Sequence, residues 1–429
     1  MIRAAGLTLA AVLCLAAAAP ESRLAQYFRL RREATTAAQA GDLATAEARL
    51  EAALALVPQS PGVLIRLARV EAAAGKPQEA IEHLRDYGNL DLSWDVAADP
   101  GLKGLMNRPE TAPLAEGLLA NGRLEDPVEV VAKLPAGTGI NEGLVVHSGG
   151  FLVSSVTGRG IVRVKGGATT PFFQPDEATG GLFGMALDGG NLWVAEAAGP
   201  GIPGSSGPAR TALLKIALND GRLLARYPVA EDGGPHQLGD VLVVDGAVYA
   251  SDARSGQVWR LPKGGATLEE VVPKGQLGSP QGMAVCAPGV LLVADYTIGL
   301  HRLDLVTGAL EPVAGHFASV GTDGLFAIPD FHPGRKRSVF VLVQNGLSPE
   351  RVIYLGLDED CRQMGFVGFL VNASLMGDLT LGAVDGGGFV FLSRSGWSAH
   401  DGEGRRRPDA VPVETLILRH APKSPFRQR

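Results

Sequence analysis

The chain has 429 residues, of which 46% are hydrophobic, 20% are charged and only 6% are aromatic. This composition supports two or more packed units and excludes a disordered or collagen-like chain. The formal net charge of −6 at pH 7 provides no broad positive field, so we expect no nucleic-acid partner.

The first 18 residues have the pattern of a secretory signal peptide. Arg3 supplies a positive n-region, residues 7–15 form an apolar h-region, and residues 16–18 are alanines that provide a small-residue cleavage site. A membrane anchor is the alternative, but the apolar run is shorter than the roughly 20 residues that cross a bilayer. We therefore predict cleavage near Ala18 and a periplasmic or secreted chain with no stable membrane span.

After this cleavage the chain would keep only Cys286 and Cys361. In an oxidising compartment these two cysteines can pair, but one pair is not a disulfide framework. Each is equally well explained as a small buried hydrophobe. Both interpretations stay open.

Residues 24–92 contain an internal repeat with a period of 34 residues. The repeated positions are Ala38, Gly41, Ala46 and Leu50, followed by Ala72, Gly75, Ala80 and Leu84. Alanines where two helices approach closely, a glycine at the turn and leucines on the inner face are typical of stacked helical hairpins. The pattern resembles the tetratricopeptide repeat (TPR).

Two such repeats cannot bury their apolar faces alone, so we expect them to dock on another part of the chain. Helical segments at about 99–107 and 112–121 are expected to cap them. The pair can be interpreted as a groove that binds a protein partner or as a packing spacer, and so short an array offers little concave surface to decide between these.

From about residue 127 the helical periodicity ends, and short apolar strands alternate with glycine-rich and proline-rich turns. One pattern returns six times, at residues 141–144, 182–185, 238–241, 280–283, 322–325 and 376–379, and a second strand follows each copy. Six four-stranded units of about 40 residues predict a six-bladed β-propeller. Two longer spacings predict inserted loops at 199–208 and around 329–338.

The last unit has only three strands of its own, ending at residues 413–420, whereas residues 128–134 resemble an unassigned outer strand. We predict that this early strand completes the sixth blade and closes the ring. The expected fold is mainly β with an α N-terminal domain. Its predicted parts are a signal peptide (1–18), a TPR-like helical domain with capping helices (19–124), a propeller (125–421) and a solvated basic tail (422–429).

Over about residues 127–420 the chain resembles the SMP-30, gluconolactonase and paraoxonase-like six-bladed propellers. In that family, residues at the starts of the inner strands hold a divalent cation, usually Ca²⁺. The family's Glu-Gly-Pro matches Glu142-Gly143-Leu144, its Asn-Asp matches Gly239-Asp240, its Asn-Gly matches Gln281-Gly282, and its Asp-Gly matches Asp323-Gly324. The proline is absent, Gln281 is one methylene longer than asparagine, and Gly239 lacks a side chain. Residues 344–352 resemble a blade-five feature of bacterial members that carry helical repeats in front.

Propeller symmetry places the starts of all inner strands around one axis. We therefore expect four candidate metal ligands to converge there: Glu142, Asp240, Gln281 and Asp323. Carboxylate and amide oxygens suit a hard cation such as Ca²⁺, and without a cation the crowded carboxylates would raise one another's pKa values. For Asp240 and Asp378, the alternative is a turn-forming aspartate that bonds its own backbone.

The resemblance implies metal-dependent hydrolysis of a lactone or related ester, in which the cation polarises the carbonyl and Asp323 or a metal-held water adds to it. Asp323 is thus the candidate catalytic residue, and Asn345 and His236 are candidate substrate-binding residues. The alternative is a non-catalytic periplasmic propeller that binds a ligand or protein, because propellers host both functions. No Gly-x-Ser-x-Gly elbow occurs in the sequence, so serine hydrolysis has no support.

Overall fold

The computed structural model describes residues 21–205, 207–328, 339–386, 388–421 and 427–428. The expected signal peptide, the loop expected at 329–338 and most of the C-terminal tail lie outside these residues. No helix within the described ranges combines the length and the apolarity that crossing a bilayer requires.

The N-terminal part is helical. It contains α1 (Arg23–Gln39), α2 (Leu43–Leu56), α3 (Pro61–Ala73), α4 (Pro77–Gly88), a 3-10 turn (Lys103–Asn107) and α5 (Thr111–Asn121). Helices α1 and α2 form one hairpin, and α3 and α4 form a second. Gly41 and Gly75 turn the chain with φ of +78° and +76°, in the left-handed region that favours glycine. The predicted pair of hairpins is confirmed.

The remaining described residues form six antiparallel blades. Blade one contains β2 (Asn141–His147), β3 (Gly150–Ser155), β4 (Ile161–Lys165) and β5 (Ala168–Phe173), and blade two contains β6 (Gly181–Asp188), β7 (Asn191–Ala198), β8 (Arg210–Ala217) and β9 (Leu223–Pro228). Blade three contains β10 (Leu238–Val244), β11 (Ala247–Asp252), β12 (Gln257–Leu261) and β13 (Glu269–Val272), and blade four contains β14 (Pro280–Ala287), β15 (Val290–Asp295), β16 (Gly299–Asp304) and β17 (Leu310–Pro312). Blade five contains β18 (Thr322–Ile328), β19 (Val339–Gln344), β20 (Arg351–Leu357), β21 (Met364–Leu370) and β25 (Arg427–Gln428). Blade six contains β22 (Gly382–Asp385), β23 (Gly388–Ser393), β24 (Thr415–His420) and β1 (Glu129–Leu134).

The inner strands β2, β6, β10, β14, β18 and β22 contact one another in a closed ring. The second strands β3, β11, β15, β19 and β23 are buried along their whole length. Neighbouring blades cover both of their faces, which explains why these strands are continuous apolar runs without alternation. The predicted six-bladed propeller is confirmed.

Strand β1 closes the ring by pairing antiparallel with β24, so that Leu134 lies opposite Thr415 and Val130 opposite Leu418. The predicted closure is confirmed. The insertion expected at 199–208 lies between β7 and β8. At the other end of the chain β25 pairs with Gly368 and Phe369 of β21, whereas the sequence predicted a solvated tail.

The sixth copy of the inner-strand pattern does not begin an inner strand, contrary to the expectation from sequence. Residues 376–379 were expected to begin the inner strand of blade six, but β22 begins at Gly382. Asp378 lies instead in a turn with φ of +54°, where its carboxylate accepts hydrogen bonds from the amides of Gly396 and Ser398. An aspartate beside a glycine forms turns as readily as strand starts, so the sequence does not distinguish the two.

The helical hairpins dock on the propeller, as expected for so short an array. Leu24 of α1 and Leu50 of α2 share one hydrophobic core with Met283 of blade four. Leu84 of α4 belongs to a second core that includes Ala318, which precedes blade five. The array therefore completes its core with propeller side chains.

Cys286 on β14 and Cys361 after β20 form a disulfide with a Cα–Cα distance of 6.5 Å. The sequence left this pairing open. The disulfide joins blade four to blade five.

Candidate functional site

The site begins with irregularities in the inner strands. In blade one, Asn141 pairs with Ser155 but Leu144 pairs with Val153, so Glu142 and Gly143 bulge out of register. Equivalent register shifts occur at 182–185, 238–241, 280–283 and 322–324. Bulges re-aim side chains and are common beside active sites. The repeated sequence pattern is thus a repeated bulge at one end of the channel.

Two local features make these bulges possible. A Cβ atom on Gly143 would overlap the carbonyl oxygen of Phe183, and one on Gly282 would overlap the backbone of blade five. Glycine is therefore required where adjacent inner strands approach. The hydroxyl of Ser154 accepts a hydrogen bond from the Gly143 amide at 2.8 Å and donates one to the Phe183 carbonyl at 2.6 Å. This serine ties blade one to blade two.

Three carboxylates meet at the bulged end of the channel. Glu142, Asp240 and Asp323 are 7%, 6% and 9% exposed. Burial raises the pKa of Asp240 to about 7 and that of Asp323 to about 6, and it holds the pKa of Glu142 well above its usual range. The negative charge of Asp323 raises the pKa values of both other groups further.

Each carboxylate has a distinct partner. The indole N–H of Trp397 donates to Glu142, and the amide of Val241 donates to Asp240 at 2.8 Å. The side-chain Nδ2 of Asn345 donates to Asp323 at 2.7 Å. The Oδ1 atom of Asn345 is buried and has no hydrogen-bond partner. An amide oxygen beside Asp323 is therefore unsatisfied.

Gln281 and Gly239, the two departures from the family pattern, are neighbours in space. The Oε1 atom of Gln281 lies 3.0 Å from the position that a Cβ atom on Gly239 would occupy. The longer Gln281 side chain thus brings its amide oxygen into the space that the missing side chain of Gly239 leaves free.

The donor atoms at this end of the channel are the oxygens of three carboxylates and two side-chain amides. Among the described residues, no group of three or more His, Cys, Asp or Glu side chains lies close enough to hold one. The carboxylates alone are therefore not a complete metal site. Adding the amide oxygens of Gln281 and Asn345 gives a set of oxygen donors of the type that a hard cation such as Ca²⁺ requires.

His236, a candidate substrate-binding residue, contacts two carboxylates. Its Nδ1 lies 2.7 Å from Asp252 and its Nε2 lies 3.1 Å from Asp232, which is paired in turn with Lys274 at 2.5 Å. Both ring nitrogens are therefore occupied by carboxylates within blade three and its preceding loop. Its spacing of four residues from Asp240 gave no information on the direction of the ring.

Sequence reasoning missed the role of Arg351. This side chain is fully buried, donates to Gln344 at 2.6 Å and to the carbonyl of Leu90 at 2.8 Å, and lies 4.3 Å from the ring centre of Phe369. Burial lowers its pKa to about 10. Arg351 therefore connects the segment after α4 to blade five.

The loop between β19 and β20, residues 345–350, is called the blade-five loop. Asn345 at its start contacts Asp323, and the carbonyl of Ser348 accepts a hydrogen bond from the amide of Ser93, in the helical part, at 2.7 Å. Glu350 at its end accepts one from the amide of Leu379 at 2.7 Å. This loop joins the helical array to the channel carboxylates, and the resemblance over 344–352 was the sequence signal that pointed to it.

The fold and the site define the class: a six-bladed β-propeller that is preceded by two TPR-like hairpins and has an acidic channel end. A family model described as a tetratricopeptide repeat matches residues 37–93. A sequence search among curated proteins finds no match. The repeat match covers the helices only, so the family of the propeller is not established by sequence.

Three solved structures have a similar overall fold. A calcium-binding protein, regucalcin, from Agrobacterium tumefaciens is 14% identical, with a TM-score of 0.46, and the match covers 71% of this chain and 98% of that one. A streptogramin B lyase is 12% identical, with a TM-score of 0.42 and coverage of 69% and 99%. Virginiamycin B lyase from Staphylococcus aureus is 12% identical, with a TM-score of 0.41 and coverage of 68% and 99%.

Proposed function

We propose that the protein binds a divalent cation, Ca²⁺ in the first instance, at the acidic end of its channel and hydrolyses a lactone or related ester there. One observation carries the proposal. Glu142, Asp240 and Asp323 are buried together with raised pKa values, and no lysine or arginine of the described residues forms an ion pair with them. A bound cation would supply the missing positive charge.

The proposed ligands are Asp323, Asp240 and Glu142, together with the amide oxygens of Gln281 and Asn345. Because the three carboxylates are not close enough to hold one ion as they stand, binding would require them to move together. A divalent cation in such a position supplies polarisation of a substrate carbonyl. The resemblance of the inner-strand motifs to those of SMP-30 and gluconolactonase-like propellers supports this choice of ligands.

Asp323 acts as the general base in this proposal. Without a cation, burial raises the pKa of Asp323 to about 6. A bound cation would lower this pKa, so the carboxylate would be ionised at neutral pH and able to accept a proton. The hydrogen bond from Asn345 fixes the carboxylate. Asp323 takes a proton from water as the water oxygen bonds to the carbonyl carbon, and it returns that proton to the departing alkoxide. The product is a hydroxy acid.

We also propose export to the periplasm. The pattern of residues 1–18 supports it, and so does the Cys286–Cys361 disulfide, because disulfides persist in oxidising compartments.

The second candidate is a non-catalytic binding propeller with a bound structural cation. The low exposure of the channel carboxylates, 6% to 9%, favours it, because a substrate must reach these buried groups. The tetratricopeptide match supports a protein partner for the helical part.

Calorimetric Ca²⁺ titration and a lactone screen on the same protein samples separate the two candidates. In a hydrolase, Asp323→Asn keeps the fold, but its turnover rate falls about 10²-fold to 10⁴-fold, which is the usual contribution of a general base. The exposed variant Asp220→Asn is the control and keeps full turnover. If the wild type binds Ca²⁺ but hydrolyses no lactone or aryl ester, the second candidate holds. If it binds no divalent cation, both proposals for the channel are wrong.

A further inference from the structure

A separate cavity of about 290 Å³ lies between the β23–β24 loop and the β1–β2 loop, and we call it the blade-six pocket. Its lining contains none of the proposed cation ligands. The backbone of Gly137, Gly139 and Gly396 forms part of the wall. The volume is near the lower limit for small-molecule sites, so the pocket suits a small ligand.

One part of the lining is strongly cationic. Arg394, Arg406 and Arg407 contribute to it, against a single acidic residue, Asp409. None of these arginines forms an ion pair with a carboxylate of the described residues. In contrast, the neighbouring Arg405 is paired with Asp401 at 2.9 Å and with Glu403 at 2.8 Å.

Each of these three guanidinium groups donates a hydrogen bond to a backbone carbonyl. Arg394 donates to the carbonyl of Ser374 at 3.1 Å, and Arg406 donates to that of Ala410 at 3.2 Å. Arg407 donates to the carbonyl of His400 at 3.1 Å. A guanidinium group carries five N–H donors, so each keeps donors for an anion.

Another part of the lining is apolar. Val411 and Val413 line the pocket beside Pro412 and Ala410, and they are 76% and 49% exposed. Two large apolar side chains this exposed, beside three unpaired cations, match a ligand that has both an anionic group and an apolar body.

We propose that the blade-six pocket binds a small organic dianion with an apolar body, of which an aryl phosphate is the simplest example. The arginines bind the phosphate oxygens through charge-assisted hydrogen bonds, and Val411 and Val413 bury the ring. An aryl dicarboxylate shares this chemistry. The proposal does not depend on a cation in the channel.

In the experiment, the full chain is titrated at constant ionic strength with four ligands, and calorimetry measures the binding. The ligands are phenyl phosphate, phenylmalonate, inorganic phosphate and phenol. Phenyl phosphate is expected to bind at least tenfold more tightly than inorganic phosphate, and phenol is expected to show no binding. If phenylmalonate binds more tightly than phenyl phosphate, the site is assigned to dicarboxylates.

Three variants test the residues. Arg406→Gln combined with Arg407→Gln is expected to weaken binding of phenyl phosphate and inorganic phosphate at least tenfold. Arg405→Gln removes an arginine that is already paired and is expected to change affinity less than twofold. Val411→Ser is expected to weaken phenyl phosphate and leave inorganic phosphate unchanged.

Two results would overturn the proposal. One is the absence of saturable binding by phenyl phosphate and phenylmalonate up to about 10 mM, which is weaker than a specific small-molecule site requires. The other is equal weakening by Arg405→Gln and by the double variant, because that would indicate attraction by general surface charge.

Discussion

At the scale of single residues, the channel is built on carboxylates whose ionisation opposes folding. Burial raises the pKa of Asp240 from 3.8 to about 7, so the folded state favours the protonated form. This contribution to stability is fully present below the ordinary pKa and is lost as the pH rises through about 7.

We predict that the cation-free protein loses stability between about pH 4 and pH 7 through this group. The test is the melting temperature in chelator across this range, compared with Asp240→Asn, which keeps the shape of the side chain but does not ionise. The difference between the two proteins should change with pH, whereas Asp220→Asn, at an exposed position, should follow the wild type. A constant difference would contradict the raised pKa.

Gln281 and Gly239 supply a second prediction at this scale. Because the Gln281 oxygen lies beside the space above Gly239, Gln281→Asn should withdraw the oxygen and weaken Ca²⁺ binding about tenfold, the effect of roughly 1.4 kcal/mol. Adding Gly239→Asn should restore much of the affinity. A double-mutant cycle measures this coupling, and additive effects of the two substitutions would show that the two positions are independent.

At the scale of elements, the blade-five loop connects the helical array to the carboxylates of the channel. Arg351, the residue that follows the loop, is buried against the segment after α4, while Asn345 at its start contacts Asp323. Three groups accept hydrogen bonds from Arg351: the Gln344 side chain and the carbonyls of Leu90 and Asp91. Without this guanidinium those buried acceptors would be unsatisfied.

We therefore predict that Arg351→Met destabilises the protein by about 3 kcal/mol, the usual cost of leaving buried partners of a charged group unpaired. Hydrogen exchange should increase first in α3, α4 and residues 90–93. The matched control is Arg222→Met, at an arginine that is 70% exposed, and it should leave exchange unchanged. Equal protection of the helices in both variants would show that Arg351 does not fasten them.

At the scale of the whole molecule, stability depends on a ring that is closed by a strand from the other end of the chain. Strand β1 pairs with β24, and the fully buried Leu134 packs with Leu144 of blade one and Ile417 of blade six. A propeller opened at this point exposes two sheet edges. We therefore expect the closure to affect the stability of all six blades together.

Leu134→Ala should cost about 2 to 5 kcal/mol, as for other buried leucines. The melting temperature should fall, and the whole propeller should still unfold in a single cooperative transition. Val130→Ala is the control, because Val130 is on the same strand but 37% exposed. Calorimetry compares the two, and a separate early transition confined to blade six would show that the closure is only local.

The sequence by itself determined the architecture, because architecture here follows from repetition. The period of 34 residues predicted the two helical hairpins, and the returning inner-strand pattern predicted six blades and their closure. Within each repeat the hydrophobic periodicity indicates which residues are buried, and the return of the same pattern along the chain indicates the number of units. The sixth copy misled because Asp378 and its glycine form a turn in the same residue types.

Only the tertiary structure decided the chemistry of the site. Trp397 reaches Glu142 across 255 residues, and Arg351 reaches Leu90 across 261. Gln281 takes the space beside Gly239 only because blades three and four are adjacent. Such contacts form only in the tertiary structure, because no local sequence pattern encodes which side chains will face each other. The physical reason is that the alternation of side chains along a strand decides on which face of the sheet a residue lies, whereas the packing of neighbouring blades decides which side chains it contacts.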